Sequence, residues 1–107
     1  MLDRMYIQVY TQEIDFEWDA EKNAFNIKKH GISFEEAKCI FDGLVFTAQD
    51  TREEYGEARF ISVGSMGGAV VFVVVHTLRD GRIRLISARK ASHKERKTYH
   101  DCLKEKT

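Results

Sequence analysis

Apolar positions follow helical spacing in the first half of the chain and strand-like runs in the second. Residues 16–19 predict a short strand that leads into a helix capped by Asp19. That helix is predicted to continue to about His30, because Gly31 supplies the left-handed residue that commonly ends a helix. Lys29 and His30 then occupy its last turn, where the helix dipole favours cations.

A second, shorter helix is predicted directly afterwards. Ser33 and Glu36 have the spacing of a capping box, in which each side chain binds the backbone amide of the other residue. The apolar positions that follow share one helical face: Phe34, Ala37, Ile40 and Phe41. Asp42 and Gly43 predict the end of this helix.

Four strands are predicted in the remainder of the chain, at residues 44–48, 58–63, 69–77 and 82–90. The third is apolar throughout, which is typical of a central strand covered on both faces. Asp80 and Gly81 form a hairpin signal between the third and fourth strands. A second capping box, Ser92 with Glu95, predicts a last helix that packs by a narrow apolar stripe.

The predicted order β-α-α-β-β-β-β-α indicates an α+β fold, with an antiparallel sheet and its helices on one face. No repeat, proline or linker divides the chain, so residues 1–107 are interpreted as a single domain. Residues 1–15 are either a variable extension or a possible edge strand. The longest apolar run is too short to cross a bilayer and no signal peptide is recognisable, so a cytoplasmic protein is expected.

The charged residues are distributed unevenly although the formal net charge is zero. Residues 1–57 carry 6 Lys and Arg against 13 Asp and Glu, whereas residues 58–107 carry 11 against 4. The second half therefore predicts a cationic face that attracts a polyanion such as nucleic acid. The alternative is that folding mixes the opposite charges. Two cysteines without a Cys-x-x-Cys or Cys/His cluster indicate neither a disulfide framework nor a zinc site.

The densest basic segment covers the last strand and the start of the last helix. Strand alternation predicts Arg82 and Arg84 on one face, and Arg89 on the other face with Ile83 and Leu85. A guanidinium on an apolar face needs a charged or phosphate partner, and its fork of N–H donors matches phosphate oxygens. Arg89 is therefore the leading phosphate-binding candidate. The more exposed cations of the segment are candidates for RNA contacts: Arg82, Arg84 and Lys90.

Alternatives remain open for individual residues. Arg89 is otherwise a structural arginine paired with Glu57 or Asp50. Arg59, which begins the second of the four strands, is either a phosphate clamp or the ion-pair partner of Glu57.

Two histidines have the placement of a proton carrier, since a histidine near its usual pKa exchanges protons at neutral pH. His30 lies at a helix end and His76 at a strand end, although a single histidine at such a position is more often structural. RNA carries its own nucleophile, the 2′-hydroxyl, so its cleavage needs proton carriers and cations but neither a metal nor another cofactor. DNA lacks that hydroxyl.

Six segments in the same order resemble the BrnT family of toxins, from about Phe16 to Tyr99. The matching stretches are Phe16-Glu17-Trp18-Asp19, Asn26-Ile27-Lys28-Lys29-His30-Gly31, Ser33-Phe34-Glu35-Glu36-Ala37, Gly56-Glu57-Ala58-Arg59-Phe60, Val74-Val75-His76-Thr77 and Arg84-Leu85-Ile86-Ser87-Ala88-Arg89-Lys90-Ala91 with Glu95-Arg96 and Tyr99. Their shared order over most of the chain makes the resemblance specific.

The resemblance implies a RelE-like endoribonuclease toxin of a type II toxin–antitoxin system, which inhibits translation by cutting RNA. It implies a BrnA-like antitoxin with a DNA-binding domain as partner, a hetero-oligomeric complex, and operator contact through the antitoxin only. The implied catalytic positions are His30, Arg59, Arg89 and Arg96, with Trp18 and Lys29 in support. Two other interpretations stay open: an RNA- or protein-binding module of the same fold without catalysis, and an interaction protein whose basic face receives an acidic helix.

Overall fold

The computed structural model describes residues 5–10 and 14–106. Its elements are β1 (Tyr6–Val9), β2 (Phe16–Glu17), α1 (Ala20–His30), α2 (Phe34–Ala37) continued by a 3-10 helix (Lys38–Asp42), β3 (Leu44–Gln49), β4 (Arg59–Met66), β5 (Val70–Arg79), β6 (Arg82–Lys90) and α3 (His93–Lys106). The predicted α+β class and the predicted order of helices and strands are confirmed. β4 continues to Met66, three residues beyond its predicted end, and β5 begins at Val70, one residue later than predicted.

The strands form one six-stranded sheet in the order β1-β3-β4-β5-β6-β2. All neighbours are antiparallel except β2 and β6, which pair in parallel. The possible edge strand near the N-terminus is present as β1, which pairs with β3. The remainder of that extension, at residues 1–4 and 11–13, lies outside the described residues.

Helices cover both faces of the sheet, so the prediction that they lie on one face was wrong. The α2 and 3-10 segments pack into an apolar cluster that contains Phe34, Phe72 and Leu85. On the opposite face, α3 packs Tyr99 and Leu103 against a second cluster formed by β3, β4 and β5. The reason lies in β5, which is apolar at successive positions and therefore needs cover on both faces.

A β-bulge in β6 reverses the predicted facing of its last residues. Val75 pairs with Ser87 and His76 with Leu85, so Ile86 is an extra residue without a partner on β5. The prediction that Arg89 shares a face with Leu85 was therefore wrong. Arg89 pairs with Val73, which belongs to the cluster on the α3 face.

Asn26 fixes α1 to the outer edge of β6. Its amide nitrogen donates to the carbonyl oxygens of Ala88 and Ile32 at 2.8 and 2.9 Å, and its amide oxygen accepts from the Ala88 N–H at 3.0 Å. The side chain is buried. A helical residue thus takes the place of a neighbouring strand at this point of β6, and it holds the end of α1 beside the bulge.

Candidate active site: an arginine-lined cleft beside the bulge

A cleft opens on the α3 face of the sheet, in the part that α3 leaves uncovered. Its floor consists of strand residues that lie side by side on β4, β5 and β6: Ile61, Val73, Val75 and Ser87. Three cationic or titratable side chains, Arg52, Arg89 and His30, complete the lining. The cavity has a volume of about 270 Å³. We call it the arginine cleft.

Arg89 is held in the arginine cleft by Glu95 from the first turn of α3. Its two terminal nitrogens donate to the two carboxylate oxygens at 2.8 and 3.0 Å, and one of them also donates to the Lys90 carbonyl at 3.3 Å. Hydrogen bonds from Arg89 lower the pKa of Glu95 to about 2, and the same pairing raises the pKa of Arg89. Both groups are therefore charged at neutral pH.

Glu95 also accepts the Ser92 N–H at 2.8 Å, and the Ser92 hydroxyl accepts the Glu95 N–H at 3.1 Å. The predicted second capping box is thus confirmed, and its carboxylate has two functions. It caps α3 and orients Arg89, whose partner is neither Glu57 nor Asp50. Arg89 remains 43% exposed, so its unpaired edge is open to a ligand.

Arg52 enters the arginine cleft from the loop between β3 and β4, and Asp50 positions it. The guanidinium donates to both carboxylate oxygens at 2.8 Å, and Tyr55 adds a hydrogen bond at 3.1 Å. The Asp50 side chain is only 1% exposed. Hydrogen bonds from Arg52 lower the pKa of Asp50 to about 2. The charge of Arg52 also opposes the rise in the pKa of Arg89, as expected for two neighbouring guanidiniums.

His30 reaches the arginine cleft because α1 ends there. The Asp19 carboxylate accepts the amides of Glu21 and Lys22 at the start of the helix. Gly31, with φ of 73°, ends it through an N–H bond to the Ile27 carbonyl. Both predicted ends of α1 are therefore confirmed.

A second cavity of about 390 Å³ lies between α1 and the bulge, and we call it the helix-edge pocket. It shares His30 and Ser87 with the arginine cleft. Lys29 also lines it, and the Lys29 ammonium lies 5.9 Å from the centre of the Phe25 ring. The complete lining is Asp19, Glu21, Lys22, Phe25, Asn26, Lys29, His30, Ile86 and Ser87.

Arg59 and Arg84 occupy the same sheet face as Arg89 but stand further along it. Both pair with Thr77, four residues beyond the partner of Arg89 on β5. This separates them from Arg89 by about 13 Å along the strand, at about 3.3 Å per residue. The Arg59 guanidinium stacks on Tyr55 at 4.1 Å, and its Nε is buried without a hydrogen-bond partner among the described residues.

Glu17 on β2 pairs with the two arginines at the beginning of β6. Arg84 donates to it at 2.6 Å, and Arg82 lies 3.8 Å from its other carboxylate oxygen. Both arginines therefore belong to an ion-pair network beyond the end of the cleft, and neither lines it.

The remaining sequence candidates lie outside the arginine cleft. Trp18 is half-buried against Phe34, with ring centres 6.1 Å apart, and so contributes to the core. Lys90 is exposed at the end of β6, and Arg96 is exposed on α3 beside His93. The structure brings together only His30 and Arg89 of the four predicted catalytic residues.

His76 belongs to the sheet core. Its Nε2 lies 2.7 Å from the Ser62 hydroxyl, and its ring packs against Phe41 and Phe60. Burial lowers its pKa to about 4. The side chain is therefore neutral at neutral pH, and it faces away from the arginine cleft, on the side of the sheet that the 3-10 helix covers.

Sequence reasoning did not assign Arg52 to the site, and it missed that Asp50 positions Arg52 and that Glu95 positions Arg89. Arg52 is a lone cation within an acidic loop, which is the only sequence signal that distinguishes it. Glu95 is the single acid in the basic segment, so an ion pair between it and one of the arginines of that segment could have been predicted.

The family model described as "Ribonuclease toxin, BrnT, of type II toxin-antitoxin system" matches residues 18–95. The chain belongs to this family. Membership implies an RNA substrate and an antitoxin partner. The match begins at Trp18, directly after β2. A comparison with curated proteins gave no significant match.

Among solved structures, the chain is similar to the ribonuclease toxin BrnT of Brucella abortus, known from a crystal structure at 1.1 Å resolution. The two share 21% sequence identity and a TM-score of 0.56, over 76% of this chain and 100% of the Brucella chain. This similarity supports the fold. No helix in the described part of the chain is long and apolar enough to cross a membrane.

Proposed function

We propose that the chain is an endoribonuclease toxin that cuts RNA without a metal ion and thereby inhibits translation in the cytoplasm. The observation that carries this proposal is the meeting of Arg52, Arg89 and His30 around one cleft. Each arginine is oriented by a carboxylate that lies outside the cavity lining. Such preorganised cations stabilise charge that develops on a phosphate in the transition state.

In this reaction the RNA 2′-oxygen attacks the adjacent phosphorus, and the bond from phosphorus to the 5′-oxygen breaks. A base removes the 2′-proton and an acid protonates the leaving 5′-oxygen. His30 carries one of these protons, and Arg89 and Arg52 hold the non-bridging oxygens. The products are a 2′,3′-cyclic phosphate and a 5′-hydroxyl. Arg59 and Arg84 bind phosphates further along the RNA. Weaker contacts with RNA phosphates come from Lys29, Lys90, Arg82 and Arg96.

The cleavage test uses the purified chain, freed of partner, with single-stranded RNA in EDTA. Wild type should cleave and leave cyclic phosphate ends, and a substrate with 2′-deoxyribose at the cut position should resist. Arg89→Ala and Arg52→Ala should each lower kcat/KM by about 100-fold or more, as for loss of one transition-state donor. Arg79→Ala is the matched control, because Arg79 pairs with Glu57 at the hairpin end.

Cleavage that requires a divalent metal would refute the metal-independent mechanism. RNA binding without cleavage would instead support the non-catalytic module. If Arg89→Ala, Arg52→Ala and His30→Ala all cleave normally, the arginine cleft is not the active site.

We further propose that a BrnA-like antitoxin neutralises the chain in a hetero-oligomer and contributes the DNA-binding domain that contacts the operator. Family membership supports a partner of this kind. Expression of the chain alone should arrest growth, and coexpression with the product of a neighbouring small gene should restore it. Growth arrest that Arg89→Ala leaves intact would show that toxicity has another origin.

A further inference from the structure

The helix-edge pocket presents an aromatic ring to solvent. Phe25 on α1 is 64% exposed, although α1 lies against β6. Ile86, the extra residue of the bulge, contributes to the same lining. An exposed aromatic face beside a cationic site is typical of proteins that stack the bases of single-stranded nucleic acid.

The charges of the helix-edge pocket do not favour a phosphate. Asp19 and Glu21 oppose Lys22 and Lys29 in its lining, so its formal charge without His30 is balanced. The lining of the arginine cleft, in contrast, contains two guanidiniums and no carboxylate. A phosphate is therefore expected in the arginine cleft, and an uncharged planar group is expected in the helix-edge pocket.

The two cavities are neighbours, because His30 and Ser87 line both of them. A nucleotide can therefore place its phosphate on one side of His30 and its base on the other. The volume of about 390 Å³ is within the range of small-molecule sites. Lys29 lies near the outer limit of a cation–π contact with Phe25 and leaves most of the ring exposed.

We propose that the helix-edge pocket binds one base of single-stranded RNA, next to the phosphate in the arginine cleft, by stacking on Phe25. The proposal rests on the proposed ribonuclease function and adds a base-binding subsite to it. The subsite acts on unpaired bases only, because a base within a duplex has no free face to offer.

The test measures binding of a fluorescent single-stranded 2′-O-methyl RNA, whose blocked 2′-oxygen prevents cleavage. Phe25→Ala should weaken binding about tenfold, within the range for loss of one base stack, and Phe25→Trp should preserve it. Ile27→Ala is the matched control, since Ile27 is 45% exposed on the same helix and does not line the pocket. The affinity of Ile27→Ala for this RNA should stay within about twofold of that of wild type, a change of less than about half a kcal/mol in binding free energy.

Oligonucleotides with a single abasic position, scanned along the strand, identify the group that Phe25 contacts. At one position, removal of the base should weaken binding to wild type as much as Phe25→Ala weakens binding of the intact oligonucleotide. The Phe25→Ala variant should bind that abasic oligonucleotide no more weakly than the intact one. Equal affinities for Phe25→Ala and Ile27→Ala would overturn the proposal. So would a tenfold loss that persists for every abasic oligonucleotide, because Phe25 would then act on something other than a base.

A cleavage assay separates this proposal from the ribonuclease function. If wild type and Phe25→Ala cut RNA with the same KM and the same base preference, the base subsite is wrong and the ribonuclease stands. If wild type neither binds nor cuts RNA, both fail. If Phe25→Ala handles RNA normally but loses affinity for the antitoxin, the pocket belongs to the antitoxin and the base subsite is wrong.

Discussion

Replacing Asn26 by leucine should destabilise the fold more than its position on a helix suggests. The substitution keeps the approximate size of the side chain but removes three hydrogen bonds at 2.8 to 3.0 Å. It leaves the N–H and the carbonyl of Ala88 and the carbonyl of Ile32 without this partner. A buried polar group left unsatisfied costs about 1–3 kcal/mol. Partial solvation of the sheet edge reduces the sum, so we expect a loss of about 3–4 kcal/mol in the free energy of unfolding.

Urea unfolding followed by far-UV circular dichroism measures this loss, with equal slopes required for the comparison. Asn23→Leu is the control on the same helix, because Asn23 accepts a single hydrogen bond, from the Phe34 N–H at 2.8 Å. We expect it to cost about 1 kcal/mol. If the two variants lose the same stability, or if Asn26→Leu loses less than about 1 kcal/mol, Asn26 does not replace a strand at the edge of β6.

Three further predictions concern other parts of the fold. Gly64→Ala should cost about 1–3 kcal/mol in unfolding free energy, because an added Cβ would lie 2.8 Å from a valine of β3, whereas Gly43→Ala meets open space and should not incur this cost. Burial lowers the pKa of His76 from 6.5 to about 4, so the neutral side chain contributes fully to stability above pH 6.5, and this contribution of roughly 3 kcal/mol is lost as pH falls through 4. Urea unfolding at several pH values should show a smaller loss of stability with falling pH in His76→Gln than in wild type, and equal losses would contradict this. Arg89 lowers the pKa of Glu95 from 4.5 to about 2, so the ion pair stabilises the fold above pH 4.5 and is lost as pH falls through 2. Glu95→Gln should therefore cost about 1 kcal/mol at pH 7 and much less at pH 2, and a cost independent of pH would show that the pair contributes nothing.

Much of the fold was predictable because local signals and global packing agree. Asp19 and Gly31 bound the first helix, Ser33 and Ser92 cap the next two, and Asp80 has the positive φ of 53° that its hairpin turn needs. These features depend on residues close in sequence. The placement of α3 was missed because the apolar pattern of β5 requires cover on both faces without showing which helix provides it.

The candidate site was predictable only in part, because it depends on contacts between distant segments. Arg89 was chosen by strand alternation, yet the bulge at Ile86 reverses that alternation and gives it another face. His30 reaches the cleft from the end of α1, a helix that Asn26 holds against Ala88, 62 residues later in the chain. Arg52 depends on the conformation of a loop, to which helical and strand periodicity do not apply.

The extra residue at Ile86 makes β6 more tolerant of a deletion than of an insertion. Ile86 has no partner on β5, so its deletion would leave every other residue of β6 opposite its present partner. Arg89 would therefore keep its face, and only the helix-edge pocket would lose part of its lining. An insertion after Ser87 would instead move Arg89 opposite Phe72, toward the apolar core and away from Glu95. A library of single-residue insertions and deletions should therefore retain the deletion of Ile86 far more often than an insertion after Ser87.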